Sequence, residues 1–80
     1  TMNDRTADRT LDLRGLLCPL PVLKSRRALK AMPAGAQLTV DTSDPVASID
    51  LPHFCREDGH RLLALERTDF GMRFVIEKGA

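Results

Sequence analysis

Two prolines, Pro19 and Pro21, constrain the fold of this 80-residue chain more than any other feature. Proline fixes its own φ and has no N–H to donate, so it is tolerated in the first turn of a helix and little further in. The residues that follow, to Met32, are rich in helix formers, so the prolines mark the start of a helix over residues 19–32. Upstream, Leu11 and Leu13 alternate with Thr10, Asp12 and Arg14, the pattern of a strand buried on one face. Gly15 permits the turn between strand and helix. Downstream, Pro33, Ala34 and Gly35 stop the helix. Ala36, Leu38 and Val40 then alternate with Gln37, Thr39 and Asp41 as a second one-faced strand. Strand, helix and strand in about 30 residues form a right-handed βαβ unit with parallel strands.

The second half follows the same logic. Thr42-Ser43-Asp44-Pro45 is another helix start, with Ser43 or Asp44 as cap and Pro45 in the first turn. Pro52 predicts a break near Asp50 and a second helical piece that carries Phe54 and Cys55 and ends at Gly59. Residues 61–68 and 72–77 read as two strands joined by Asp69-Phe70-Gly71, a hairpin, with Met72, Phe74 and Ile76 on one face. No strand has more than one strongly apolar face, so both helices must pack on the same side of one sheet. The expected fold is an α/β (α+β) two-layer sandwich, β-α-β-α-β-β, with two helices on one face of a four-stranded mixed sheet. It is expected over residues 10–79, a length that holds one core, after a mobile tail at 1–9 that lacks apolar periodicity.

Composition excludes several classes. No apolar run approaches the roughly 18–20 residues of a membrane span, and the polar start has no signal-peptide apolar stretch. The two cysteines, Cys18 and Cys55, form no CxxC pair and no metal-binding cluster, so neither a metal nor another cofactor is expected. A secreted domain this small would ordinarily carry more cysteines in disulfides, so a reducing, cytoplasmic setting is expected. Net charge is only +1, too small to argue for nucleic acid. Its distribution is uneven. Residues 14–30 carry Arg14, Lys24, Arg26, Arg27 and Lys30 with no acid, whereas residues 41–58 carry Asp41, Asp44, Asp50, Glu57 and Asp58 against Arg56 alone.

Cys18 falls at or next to the N-cap of the first helix, within the basic segment. Unpaired N–H groups and the positive end of the helix dipole favour an anion there, which predicts a lowered thiol pKa and a larger thiolate fraction. The alternative is a small buried apolar residue, the usual fate of a free cysteine. A cysteine hydrolase would need a positioned base. Neither His53 beside Pro52 nor His60 after Gly59 is placed for that role by the sequence, so thiol exchange or persulfide transfer is the better match. Cys55, at core-like spacing from Leu51, reads as structural. On the first helix Val22, Ser25, Ala28, Leu29 and Met32 share the core face. Leu20 and Leu23 fall outside it, beside Lys24 and Arg27, either covered by neighbouring loops or forming a docking patch for a partner that must reach Cys18. Without aromatic partners, the basic residues suit an acidic protein surface better than RNA, which argues against direct nucleic-acid binding.

Arg14-Gly15-x-x-Cys18-Pro19-x-Pro21, Asp44-Pro45, Asp50-x-Pro52-x-Phe54-Cys55, Gly59-His60 and Lys78-Gly79 recur here at spacings that resemble the TusA/SirA family of small sulfur-carrier proteins. The likeness spans residues 10–79. It implies the same sandwich, and a sulfurtransferase in which Cys18 accepts a persulfide from a cysteine desulfurase or rhodanese-type donor and relays it to an acceptor protein. In the best-known members that sulfur goes toward tRNA 2-thiouridine; others feed molybdenum-cofactor assembly, selenium metabolism or sulfur oxidation. Gly15, Pro19 and Pro21 are then the motif that supports Cys18. Arg14, Lys24 and Arg27, with Leu20 and Leu23, are the expected docking residues, and the basic members are also expected to favour the sulfur anion. Leu20 stands where the best-known members carry an acid. The rival expectation is a non-catalytic interaction or regulatory module with a structural cysteine.

Overall fold

Strand β1 (Arg9–Leu13) pairs parallel with β2 (Gln37–Thr42), and helix α1 (Leu20–Lys30) joins them, as the strand–helix–strand pattern requires. The computed structural model describes residues 8–79. Helix α2 (Ala47–Asp58) follows, and then the strands β3 (Arg61–Arg67) and β4 (Met72–Glu77) form the antiparallel hairpin. β4 inserts between β2 and β3, so the mixed sheet has the order β1-β2-β4-β3. The expected β-α-β-α-β-β order and four-stranded mixed sheet are observed. β1 begins at Arg9, one residue before the expected domain start, and the Asp8 carboxylate accepts the Gln37 N–H at 2.8 Å. Of the expected tail at residues 1–9, residues 1–7 lie outside the described residues, and Arg9 belongs to β1 instead.

One core joins the layers. Leu13, Leu38, Val40, Phe74 and Ile76 come from the sheet, Ala28, Leu29 and Met32 from α1 and its end, and Ala47, Leu51, Phe54 and Cys55 from α2. The periodicity reading of α1 holds: Ser25, Ala28, Leu29 and Met32 are buried and Val22 is partly so. The C-terminal end of α1 is closed from a distance. Lys78, just past β4, donates its ammonium protons to the carbonyls of Leu29 at 2.6 Å and Met32 at 3.2 Å, where cations complement the helix dipole.

Two local expectations are corrected. Pro52 does not break α2, which runs through it as one helix to a left-handed cap at Gly59, φ 78°. An interior proline costs about 3 kcal/mol. Burial of a large apolar side chain returns about 1.5–3 kcal/mol each, and Leu51 and Phe54, on either side of the proline, both need the same axis to reach the core. Neither Ser43 nor Asp44 is the N-cap of α2, which is Val46 without a side-chain cap. Asp44 instead shapes the turn before it, accepting the Val46 N–H at 3.1 Å.

Candidate functional site

Parallel pairing puts the loops that leave β1 and β2 side by side, and Cys18 lies where they meet. Gly15, at φ 86°, turns the chain out of β1 and donates its N–H to Ser43 Oγ at 2.8 Å. Cys18 donates its N–H to Asp44 Oδ2 at 2.8 Å, so Asp44 holds a backbone amide of each loop, Cys18 through one oxygen and Val46 through the other. The Cys18–Pro19 peptide is cis. Pro19 is the N-cap of α1, and Pro21 is buried in its first turn.

The sulfur is exposed, and its partner is an acid. Cys18 Sγ–H donates to Asp50 Oδ2 at 3.0 Å, a carboxylate in the first turn of α2. This hydrogen bond to Asp50, partial desolvation, and the negative charges of Asp50 and Asp44 push the thiol pKa up. The expectation of a lowered pKa in basic surroundings is therefore overturned. Pro19 and Pro21 have no N–H, and the Cys18 and Leu20 amides are donated to Asp44 and to the Leu17 carbonyl, so this helix start offers few donors to an anion. The basic residues are also occupied or elsewhere. Arg14 grips Asp12 through Nε at 2.7 Å and a terminal nitrogen at 2.8 Å and lies over the Phe70 ring. Arg26 bonds Asp58 at 3.1 Å over Phe54. Lys24 and Arg27 gather with Arg9 around a groove of about 360 Å³ floored by Leu11, Ala28 and Ala31, between α1 and the edge strand β1.

Apolar side chains are exposed on the segments that meet at the cysteine. Leu20 and Leu23 are exposed, at 41% and 47%. Three more exposed apolar side chains lie close to Cys18 in sequence or border the acids that touch it: Leu17, 66% exposed, next to the cysteine, Val46 beside Asp44, and Ile49, 70% exposed, beside Asp50. Only Leu63 and Leu65, on β3, are comparably exposed among the described residues. Sequence reasoning missed Leu17, Val46 and Ile49, and it missed Asp44 and Asp50 as partners of Cys18. The signal for the acids was present in the Asp44-Pro45 and Asp50-x-Pro52 spacings, but not which atom they would meet.

Known proteins share this fold. The crystal structure of a SirA-like protein from Desulfitobacterium hafniense is similar at a TM-score of 0.75 and 27% identity, over 90% of this chain and 99% of that one. The profile of the sulfurtransferase TusA family matches residues 9–78. The chain belongs to the TusA family. This places it among small sulfur-transfer proteins with a two-helix, four-stranded α+β fold.

The remaining candidates of this TusA-family protein separate cleanly. His53 is exposed and lies 4.0 Å from Glu57, while His60 Nδ1 accepts the Gly79 N–H at 3.0 Å and its ring lies near Phe54. Neither is hydrogen-bonded to Cys18. Among the described residues there is no cluster of metal-ligating side chains, and no helix is long and apolar enough to cross a membrane. Cys55 is buried in the core, and burial pushes its pKa up to about 11. An aromatic disulfide reagent should thus label Cys18 in the native protein and Cys55 only after unfolding. The native thiol holds its proton more tightly than the unfolded one, whose ordinary value is 9.0. Its contribution to stability is therefore complete below pH 9 and is lost as pH rises toward about 11, which Cys55→Ala should flatten. Two native thiols that react at one rate would refute this assignment.

Proposed function

We propose that this protein is a sulfur carrier that accepts a persulfide sulfur on Cys18 from a cysteine desulfurase or rhodanese-type donor and hands it to an acceptor protein. The observation that carries the reading is the exposed Cys18 at the meeting of two loops, with exposed apolar side chains on the segments that carry it and the acids that bond it. The step needs no base of its own if the docked partner supplies one. The Cys18 thiolate attacks the outer sulfur of the donor's persulfide; a Cys18–sulfur bond forms, the donor's S–S bond breaks, and the proton lost by Cys18 ends on the donor thiolate. No net oxidation occurs. The reverse chemistry, with Cys18 as leaving group, delivers the sulfur onward. Gly15, Pro19, Pro21 and Asp44 hold the loop; Leu17, Leu20, Leu23, Val46 and Ile49 form the docking rim; Lys24 and Arg27 form a flanking basic groove suited to an acidic partner surface. Relay toward tRNA 2-thiouridine is one outlet that the family supports, in a cytoplasmic setting.

One feature favours a second reading, a non-catalytic interaction module: the Cys18 thiol is hydrogen-bonded to the Asp50 carboxylate, which pushes its pKa up, away from the thiolate. Intact-mass analysis separates the two. After incubation with a cysteine desulfurase, its cofactor and cysteine, wild type and Cys55→Ser should gain about 32 Da, one sulfur atom, removable by reductant, and Cys18→Ser should gain none. Absence of the gain in all three, across desulfurase and rhodanese donors, would put the interaction module first.

A further inference from the structure

Asp50 stands in an unusual position for a half-buried acid. Its carboxylate accepts the Cys18 thiol at 3.0 Å and has no cationic partner among the described residues. The charges around it are committed. On the loop after β2, Asp44 is buried and uses both oxygens on backbone amides. On α1, Arg26 is held by Asp58; farther along α2, His53 faces Glu57; after β1, Arg14 is held by Asp12. Cys18 therefore meets one carboxylate directly and a second through its own amide, with no cation to offset them.

We infer that Asp50 is a positioning and selecting residue: it holds the Cys18 sulfur as a hydrogen-bond donor in the free protein and releases it to a partner that brings a cation beside its own reactive sulfur. This rests on the sulfur-carrier reading, and it names the chemistry of the partner's face. That face is apolar where it meets Leu17, Leu20, Val46 and Ile49, and carries a Lys or Arg at the point that meets Asp50. The cation pairs with the carboxylate, which withdraws both the hydrogen bond and the negative field that disfavour the thiolate. Partial exclusion of water by the apolar rim strengthens that pairing. A free carrier thus stays a weak nucleophile toward stray disulfides and electrophiles and becomes a strong one only in a matched complex. An anionic partner meets repulsion from the same carboxylate, so one residue sets both timing and partner choice.

Charged small disulfides test this without any partner protein. In a Cys55→Ser background, the Cys18 thiolate attacks one sulfur of the probe, a mixed disulfide forms, and the departing thiolate takes up the proton that Cys18 lost. Rates with cystamine (cationic), 2-hydroxyethyl disulfide (neutral) and dithiodiglycolate (anionic) are each divided by the rate for N-acetylcysteine. The order cationic, neutral, anionic is expected, and Asp50→Asn should compress the cationic-to-anionic ratio several-fold while Asp50→Glu retains it. Neutral iodoacetamide should alkylate Asp50→Asn several-fold faster than wild type near pH 7.5, with its pH profile displaced to lower pH. Added salt should compress the ratio in wild type too, because a charge at the surface is screened; this arm holds even if Asp50→Asn does not fold. An unchanged ratio and pH profile in folded Asp50→Asn, or a salt-independent ratio in wild type, overturns the inference. A failed sulfur-loading experiment would leave these rates as they are, so the two failures are distinguishable.

Discussion

Phe74→Ala is expected to remove about half of the stability of this domain. Phe74 is fully buried on β4, an interior strand, where it pairs with Val40 of β2 and Leu65 of β3 and belongs to the core under the helices. Truncating a buried Phe to Ala costs about 3–5 kcal/mol, from lost transfer free energy and from the cavity left behind. Domains hold roughly 0.05–0.15 kcal/mol per residue, which is about 4–12 kcal/mol for a chain of this length. The loss is thus about 40–60% of the total at the middle of that range. Urea denaturation should show a much lower midpoint at an unchanged slope, or a chain already unfolded at 25 °C. Ile49→Ala, at an exposed position, should move stability by no more than about 0.5 kcal/mol. A wild-type midpoint for Phe74→Ala would mean that the sheet–helix interface is not the main source of stability.

Asp44→Ala should couple stability to the cysteine loop. Asp44 is a buried carboxylate that accepts the amides of Cys18 and Val46 from two different segments. Hydrogen bonds to a charged acceptor contribute about 1.5–3 kcal/mol each, and leaving a buried donor unpaired adds its desolvation penalty. With partial rescue by water, the loss is about 2–4 kcal/mol, or a fall in Tm of about 10 °C or more for a domain of this size. The effect should also be local. Cys18 should lose its amide protection in hydrogen exchange and load sulfur more slowly, while the amides of β4 fall only in line with global stability. Asp44→Asn keeps one acceptor oxygen and turns an N–H₂ group toward the other amide, so it should lie between wild type and Asp44→Ala. An Asp44→Ala protein with wild-type Tm and an unaltered Cys18 amide would show that the loop is held by other contacts.

The raised thiol pKa changes what the site requires of its partner. Sulfur transfer runs through the thiolate, and the fold by itself holds Cys18 protonated against Asp50. Under the sulfur-carrier reading, activation belongs to the complex and not to the free carrier. The same feature explains why the basic residues in the Cys18 segment mislead. They share its stretch of sequence, but Arg14 turns back on Asp12, and Lys24 and Arg27 face the groove beside β1.

Element order was legible because it depends on local rules. Alternation in residues 10–13 and 36–40, the prolines at 19 and 21, the Gly59 cap and the 69–71 turn each act within a few residues, so the strands, the helices and the single apolar face of each follow from the chain alone. The position of Cys18 just before a helix, and the place of Leu20 and Leu23 off the core face of α1, came from the same local geometry. What only the tertiary structure decided lies in pairs far apart in sequence. Asp44 and Asp50 reach Cys18 across separations of 26 and 32 residues, because parallel pairing of β1 with β2 sets their trailing loops together and starts α2 beside α1. Pro52 signals a break by every local rule, yet α2 continues, because core burial on both sides of it outweighs one lost hydrogen bond. The charge beside the sulfur was likewise a property of the fold: an electrostatic field depends on distance in space, and neighbours in sequence do not report it.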